Sequence, residues 1–238
     1  MKLLHIVLHT LLLASPLTAQ VPDADSILAG ARLSATLTHL DQGLEGTLNQ
    51  GSKKIPITLF LKGKDIQFQF TENGKLRIFH MRLDDERFQL FEMMDGKQVN
   101  FPREKLIQPI AGTDLTYEDL ALRFFYWPKP KLEGSEKVAG YDCFKLRIDK
   151  PKDSSGRYES VYVWIHAKYG AFMRIRGHDQ VGGLIKEFQV EDVMQVSEHV
   201  WVLKKMQVAT HDPKTGRRIS ITDVIFKKGS GKELKGIR

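Results

Sequence analysis

Two stretches of the chain place carboxylates close enough for acid–base work: "LDDER" at 83–87 and "YED" at 117–119. A pair of carboxyl groups can divide the roles of proton donor and proton acceptor if their environments drive their pKa values apart. Each stretch also has a structural explanation. The first fits a hairpin turn between strands, and the second fits the negative first turn of a helix. His80, His166, His178, His199 and His211 stand singly in or beside expected strands and turns, at no metal-ligand spacing. Cys143 sits in a strand with nothing nearby to activate a thiol, as an ordinary small core residue would. A nucleophile elbow, a zinc-protease helix motif, a phosphate-binding glycine loop and a cysteine pair are all missing from the sequence. The expectation is a protein that is not an enzyme and needs no cofactor and no metal.

The elements that would position these side chains are mostly strands. From about Leu33 the hydrophobic period is two. "IPITLFLK" puts Ile55, Ile57, Leu59 and Leu61 on one face, and "IQFQF" does the same with Ile66, Phe68 and Phe70. Asn73-Gly74 favours a two-residue hairpin turn, predicting a returning strand over 75–83, and Asp95-Gly96 repeats the signal. In the second half Phe144, Leu146 and Ile148 alternate, then Val161, Val163 and Ile165, then Leu184, Phe188 and Val190. Val161–Ile165 carries large side chains on both faces and is expected to be covered on both sides. About ten to twelve antiparallel strands are expected, with one short helix before them over 23–32.

"IAGTDLTYEDLALRFFYWP" at 110–128 interrupts this pattern. Thr116 is a good N-cap, Glu118 and Asp119 fall in the first turn, and Leu120, Phe124 and Trp127 form one apolar stripe before Pro128. A connector between two halves of a sheet would not need the stripe. The segment is therefore expected to be a helix lying over the apolar face of the sheet.

The N-terminus "MKLLHIVLHTLLLASPLTAQ" has the charged start, short apolar run and small residue of a secretory signal, with cleavage expected after Ala19. The chain is read as residues 1–19 signal peptide, 20–226 one domain and 227–238 a basic tail. That tail has five basic residues and one acidic. One cysteine excludes an intramolecular disulfide, so core burial must hold the fold. A formal net charge of +7 favours anionic surfaces, but Lys and Arg are interspersed with Asp and Glu along most of the chain, the basic tail excepted, and an ordinary solvated surface is the stronger reading. Basic residues interleaved with exposed aromatics, the mark of a nucleic-acid surface, are not evident around Phe60, Tyr126, Trp127 and Tyr162.

"IAGTDLTYEDL" resembles the "GSDFSYEDL"-type signature of the LolA-like, outer-membrane lipoprotein-sorting protein family, through Gly112, Thr113, Asp114, Tyr117, Glu118, Asp119 and Leu120. "VAGYDCFKLRI", the 161–193 hairpin and "HVWVLKKMQVATHDPKTGRRISITDV" are similar to later parts of that family's pattern, in its order. The resemblance implies a mainly β protein: a strongly curved antiparallel sheet forming an unclosed half-barrel, with short helices over its concave face. It further implies a monomeric periplasmic carrier of lipid or lipoprotein acyl chains, moving between an inner-membrane donor and an outer-membrane acceptor. The other role the fold could serve is an envelope sensor that detects lipid or misfolded proteins and signals to a membrane partner. The groove and cover residues expected on this reading are Phe68, Phe70, Leu120, Phe124, Trp127, Phe144, Leu146, Phe188 and Met206. A basic residue on an early strand is also implied, with Lys62, Lys64 and Arg77 as candidates.

Overall fold

The computed structural model describes residues 22–36, 40–83, 88–94, 97–198 and 200–227. The expected signal peptide, the carboxylates at 84–86, the expected Asp95-Gly96 turn, His199 and the tail beyond 227 lie outside the described residues.

Helix α1 (Ala24–Thr36) is followed by β1 (Leu40–Gln50), β2 (Lys53–Lys62), β3 (Asp65–Glu72), β4 (Lys75–Leu83), β5 (Phe88–Met94) and β6 (Lys97–Asn100). A helical segment comes next, with α2 (Tyr117–Ala121) at its centre. The second half comprises β7 (Lys131–Val138), β8 (Tyr141–Asp149), β9 (Ser160–His166), β10 (Phe172–His178), β11 (Leu184–Ser197), β12 (Val200–His211) and β13 (Arg218–Lys227). All 13 strands form one antiparallel sheet in the order β6-β5-β4-β3-β2-β1-β13-β12-β11-β10-β9-β8-β7. The two meanders meet where β1 pairs with β13, Leu48 opposite Val224. β6 and β7 remain as edges, so the sheet is a half-barrel and not a closed one.

Turn chemistry sets the register of the first meander. Asn73 and Gly74 take φ values of 51° and 73°, the positive pair a tight hairpin requires, and Glu72 then pairs with Lys75. The inner face carries one continuous apolar cluster. It runs from Phe79 and Met81 on β4, through Phe68, Ile57, Leu48, Val224, Val208, Phe188, Ile175 and Val163, to Leu146 on β8. Ile27, Leu28 and Ala31 of α1 and the segment 101–127 fill that face from within.

The outer face is apolar in patches only. Val138, Cys143, Trp164 and Met173 form a small second cluster there, so β9 is buried on both faces. Phe60, opposite in phase to Ile57, is also buried, and a side chain at Gly43 would collide with its ring.

The expected single helix over 117–127 is not formed. α2 ends at Leu122, whose φ of 45° is left-handed, and Arg123–Tyr126 continues as a 3-10 turn before Trp127 becomes extended. The break reorients the chain, so that Leu120, Phe124 and Trp127 all reach the core without being one helical stripe.

Candidate functional site

The signature segment is bound to the inner face by a buried polar cluster. Thr116 caps α2 in a reciprocal arrangement: its hydroxyl accepts from the Asp119 N–H at 3.3 Å and its own N–H donates to Asp119 Oδ2 at 2.8 Å. The other oxygen of Asp119 accepts from the Tyr158 hydroxyl. Tyr158 reaches this point because Gly177 on β10 leaves room, where a Cβ would strike the tyrosine ring.

Asp114 fastens the segment to the strands. Its carboxylate accepts from Thr210 on β12 at 2.5 Å, from Ser220, and from Thr222 on β13 and Gln50 on β1 at 2.9 Å each. The Asp114 N–H donates to Thr222 Oγ1 at 3.0 Å. Lys186 on β11 is buried and donates to the Asp114 carbonyl oxygen and, at 3.1 Å, to Thr210 Oγ1. Its Nζ lies 3.9 Å from Asp119. Glu118 accepts from the Arg157 N–H at 3.0 Å. Burial pushes the Glu118 carboxyl up to about 7, and burial likewise lowers the Lys186 ammonium, opposed by the Asp119 and Asp114 charges. These bonds join the segment to β1, β11, β12 and β13 and to Tyr158, so the arrangement attaches it to the sheet.

The sequence marks Asp114, Glu118 and Asp119 but not Lys186, Tyr158, Thr210, Ser220 or Thr222. The signal for Lys186 was its phase: it lies between Leu184 and Phe188 on the inward side of an alternating strand. Thr210 and Thr222 likewise occupy inward positions, opposite Lys186 and Val208.

All nine expected groove and cover residues gather at the inner face. Phe68, Phe70, Leu120, Phe124, Trp127, Leu146, Phe188 and Met206 are buried members of the large cluster, and Phe144 is half-buried against it. Phe124 and Trp127 retain 1% and 5% exposure, so the cover is seated on the sheet. The Trp127 indole N–H is buried and meets no acceptor among the described residues. Among the basic candidates, Arg77 lies 3.4 Å from Glu72 and Lys62 is exposed.

Two cavities adjoin the sheet. One of about 180 Å³ lies between α1 and the ends of β8 and β9, lined by Ile27, Gly30, Phe144, Ile165 and His166 among others. The other, about 270 Å³, is a polar depression on the outer face over β11–β13. Both fall below the roughly 300–1,000 Å³ of a ligand pocket. With the cover seated, side chains occupy the inner face.

One sequence reading is corrected here. Basic and aromatic side chains do cluster: Lys145 lies 5.5 Å over Tyr162 and 5.3 Å over Trp164, and Arg174 and Arg176 each lie 5.6 Å from Trp164. Residues on three different strands converge, which linear spacing hides. The patch is not built to stack bases, because Trp164 is buried and Lys145 and Arg176 pair with Glu136 and Glu187.

The fold is similar to that of solved structures, among them a LolA superfamily protein. A DUF1329 family protein from Desulfovibrio piger is 16% identical with a TM-score of 0.65, covering 92% of this chain and 96% of its own. A putative outer membrane lipoprotein-sorting protein domain from Vibrio parahaemolyticus is 16% identical at 0.64, covering 91% and 95%. A LolA superfamily protein from Nitrosomonas europaea is 15% identical at 0.62, covering 90% and 96%. The chain belongs to the family described as "-like: Uncharacterized protein", whose sequence model matches residues 82–234. No curated protein matches it in sequence.

Proposed function

We propose that the protein is a non-enzymatic periplasmic carrier that holds lipid or lipoprotein acyl chains against the inner face of the sheet. The observation that carries this reading is the continuous apolar face from β4 to β8, filled from within by short segments and not by a second sheet. A core closed by α1 and residues 101–127 can be vacated by moving those segments alone. Each CH₂ taken out of water contributes about 0.8 kcal/mol, so Phe68, Phe188, Leu146 and their neighbours would hold a chain without specific chemistry. A lipid ester carbonyl would also give the Trp127 indole N–H the acceptor it lacks. The likeness of fold to a lipoprotein-sorting domain supports the same class of cargo and, more distantly, transfer toward the outer membrane.

The test is organic extraction of the purified protein followed by mass spectrometry, with titration by a fluorescent fatty acid. Co-purified lipid or saturable probe binding is expected. Neither appearing, with the protein folded, would remove the carrier reading.

A further inference from the structure

Neighbouring strands are antiparallel, so the start of β8, the β9–β10 turn and the β11–β12 turn lie at one end of the sheet. Asp114, Lys186 and Tyr158 lie at the other. At the first end Tyr141, Tyr169 and Trp201 are 53%, 65% and 59% exposed. His166 stands between the two tyrosines, its ring 5.3 Å from Tyr141 and 4.8 Å from Tyr169. The backbone N–H groups of Lys168 and Tyr169 donate to His166 Nδ1 at 3.1 and 3.4 Å, which fixes the turn. Lys168 Nζ lies 5.1 Å over the Tyr169 ring.

His166 also lines the cleft of about 180 Å³, with Ile27 and Gly30 of α1 facing Phe144 and Ile165. Phe144 and Ile165 are cross-strand partners in or against the inner apolar cluster, so the cleft borders the inner face, and His166 belongs both to its lining and to the ring contacts of the two tyrosines. Gly30 is the telling residue. Glycine within a helix costs about 1 kcal/mol relative to alanine, yet a side chain here would meet nothing within 4 Å. The helix surface is therefore bare where Gly30 borders the cleft, and a large side chain can be placed there.

We propose that this cleft is the port through which an acyl chain passes, and that the rim of Tyr141, Lys168, Tyr169 and Trp201 docks the protein on an anionic phospholipid surface. The proposal rests on the carrier reading and adds where and on what the carrier loads. Exposed tyrosine and tryptophan suit the boundary between headgroups and water. A lysine beside them attracts negative headgroups. A chain moving from bilayer to cleft between these side chains would not cross open water. The polar attachment of the cover lies at the far end, so the cover can part here while staying fixed there.

The experiment follows transfer of a fluorescent phosphatidylglycerol from vesicles to the full chain, and binding to vesicles with and without phosphatidylglycerol. Gly30→Trp fills the cleft and should slow transfer at least about tenfold, which needs only about 1.4 kcal/mol of added barrier, with the unfolding midpoint retained. Gly30→Ala, too small to fill the cleft, should keep the wild-type rate. Lys168→Gln should weaken binding to phosphatidylglycerol vesicles about fivefold and leave phosphatidylcholine vesicles unaffected, and Tyr169→Ala should weaken both. Transfer by Gly30→Trp at the wild-type rate would place the port elsewhere. Lys168→Gln binding like wild type would remove the rim from docking. A wild-type protein that binds no probe even when it is supplied from ethanol solution would overturn the carrier reading itself.

Discussion

Glu118 couples the cover to pH. It is 3% exposed, and burial raises its carboxyl to about 7; the Arg157 N–H works against this and the Asp119 charge works with it. The folded value lies above the unfolded one, so the folded state binds more protons between about pH 4.5 and 7, and stability falls as pH rises through that window. Asp114 behaves oppositely. Burial would raise it, but the Ser220, Thr210 and Thr222 hydroxyls and Lys186 hold it below the usual range. Its contribution is lost only in acid, below the window of Glu118. Glu118→Gln keeps an acceptor for Arg157 and removes the charge. It should exceed wild type at pH 8 by up to about 3 kcal/mol and converge with it near pH 4.5, as read by urea unfolding across pH. A constant difference at all pH values would mean that Glu118 is not the titrating group. The sequence shows half of this site. Thr116 and the first-turn acids are visible because capping is local, three residues apart. Lys186, Tyr158 and Thr222 come from strands distant in the chain, and only their inward phase marks them.

Elements with one buried face were readable, and elements without one were not. β4 runs over the expected 75–83 because an Asn-Gly turn starts it and alternation sustains it. β7 escaped notice because all its residues but Val138 are exposed. As an edge strand it carries Lys131 and Lys137 and a register shift near Gly134, devices that discourage pairing with another chain. The broken helix was hidden for another reason. Leucine is a strong helix former, and only tertiary packing holds Leu122 at positive φ. The β7–β8 turn offers a test of such strain where no packing intervenes. Ala139 is exposed with φ of 50°, followed by Gly140 at 86°, the conformation that asparagine tolerates better than alanine. Ala139→Asn should gain about 1 kcal/mol, raising the melting temperature by about 2–4 °C. An unchanged or lowered melting temperature in calorimetry would show that the turn is not strained.

At the scale of the whole molecule, the attachments of the cover differ from end to end. Asp114–Asp119 is tied to β1, β11, β12, β13 and Tyr158 by buried and half-buried hydrogen bonds, and the Glu118 N–H is further bonded to Leu106 O at 2.8 Å. At the opposite end α1 rests on Ile27, Leu28 and Ala31, and Arg32 bonds the Phe125 carbonyl oxygen at 2.5 Å while stacking 5.1 Å from the Tyr126 ring. The apolar contacts of α1 are of the kind an acyl chain can replace, whereas the buried polar contacts are not, because breaking them would leave Lys186 and Asp114 unpaired in a dry site. Loading should therefore tilt the cover about its polar end. Hydrogen exchange with and without a bound fatty acid reads this directly. Amides of α1 and of residues 124–127 should change protection on loading, while those of residues 114–119 and of β11 around Lys186 keep theirs. Equal change along the whole segment would mean that the cover leaves as a unit and that the polar cluster is no hinge.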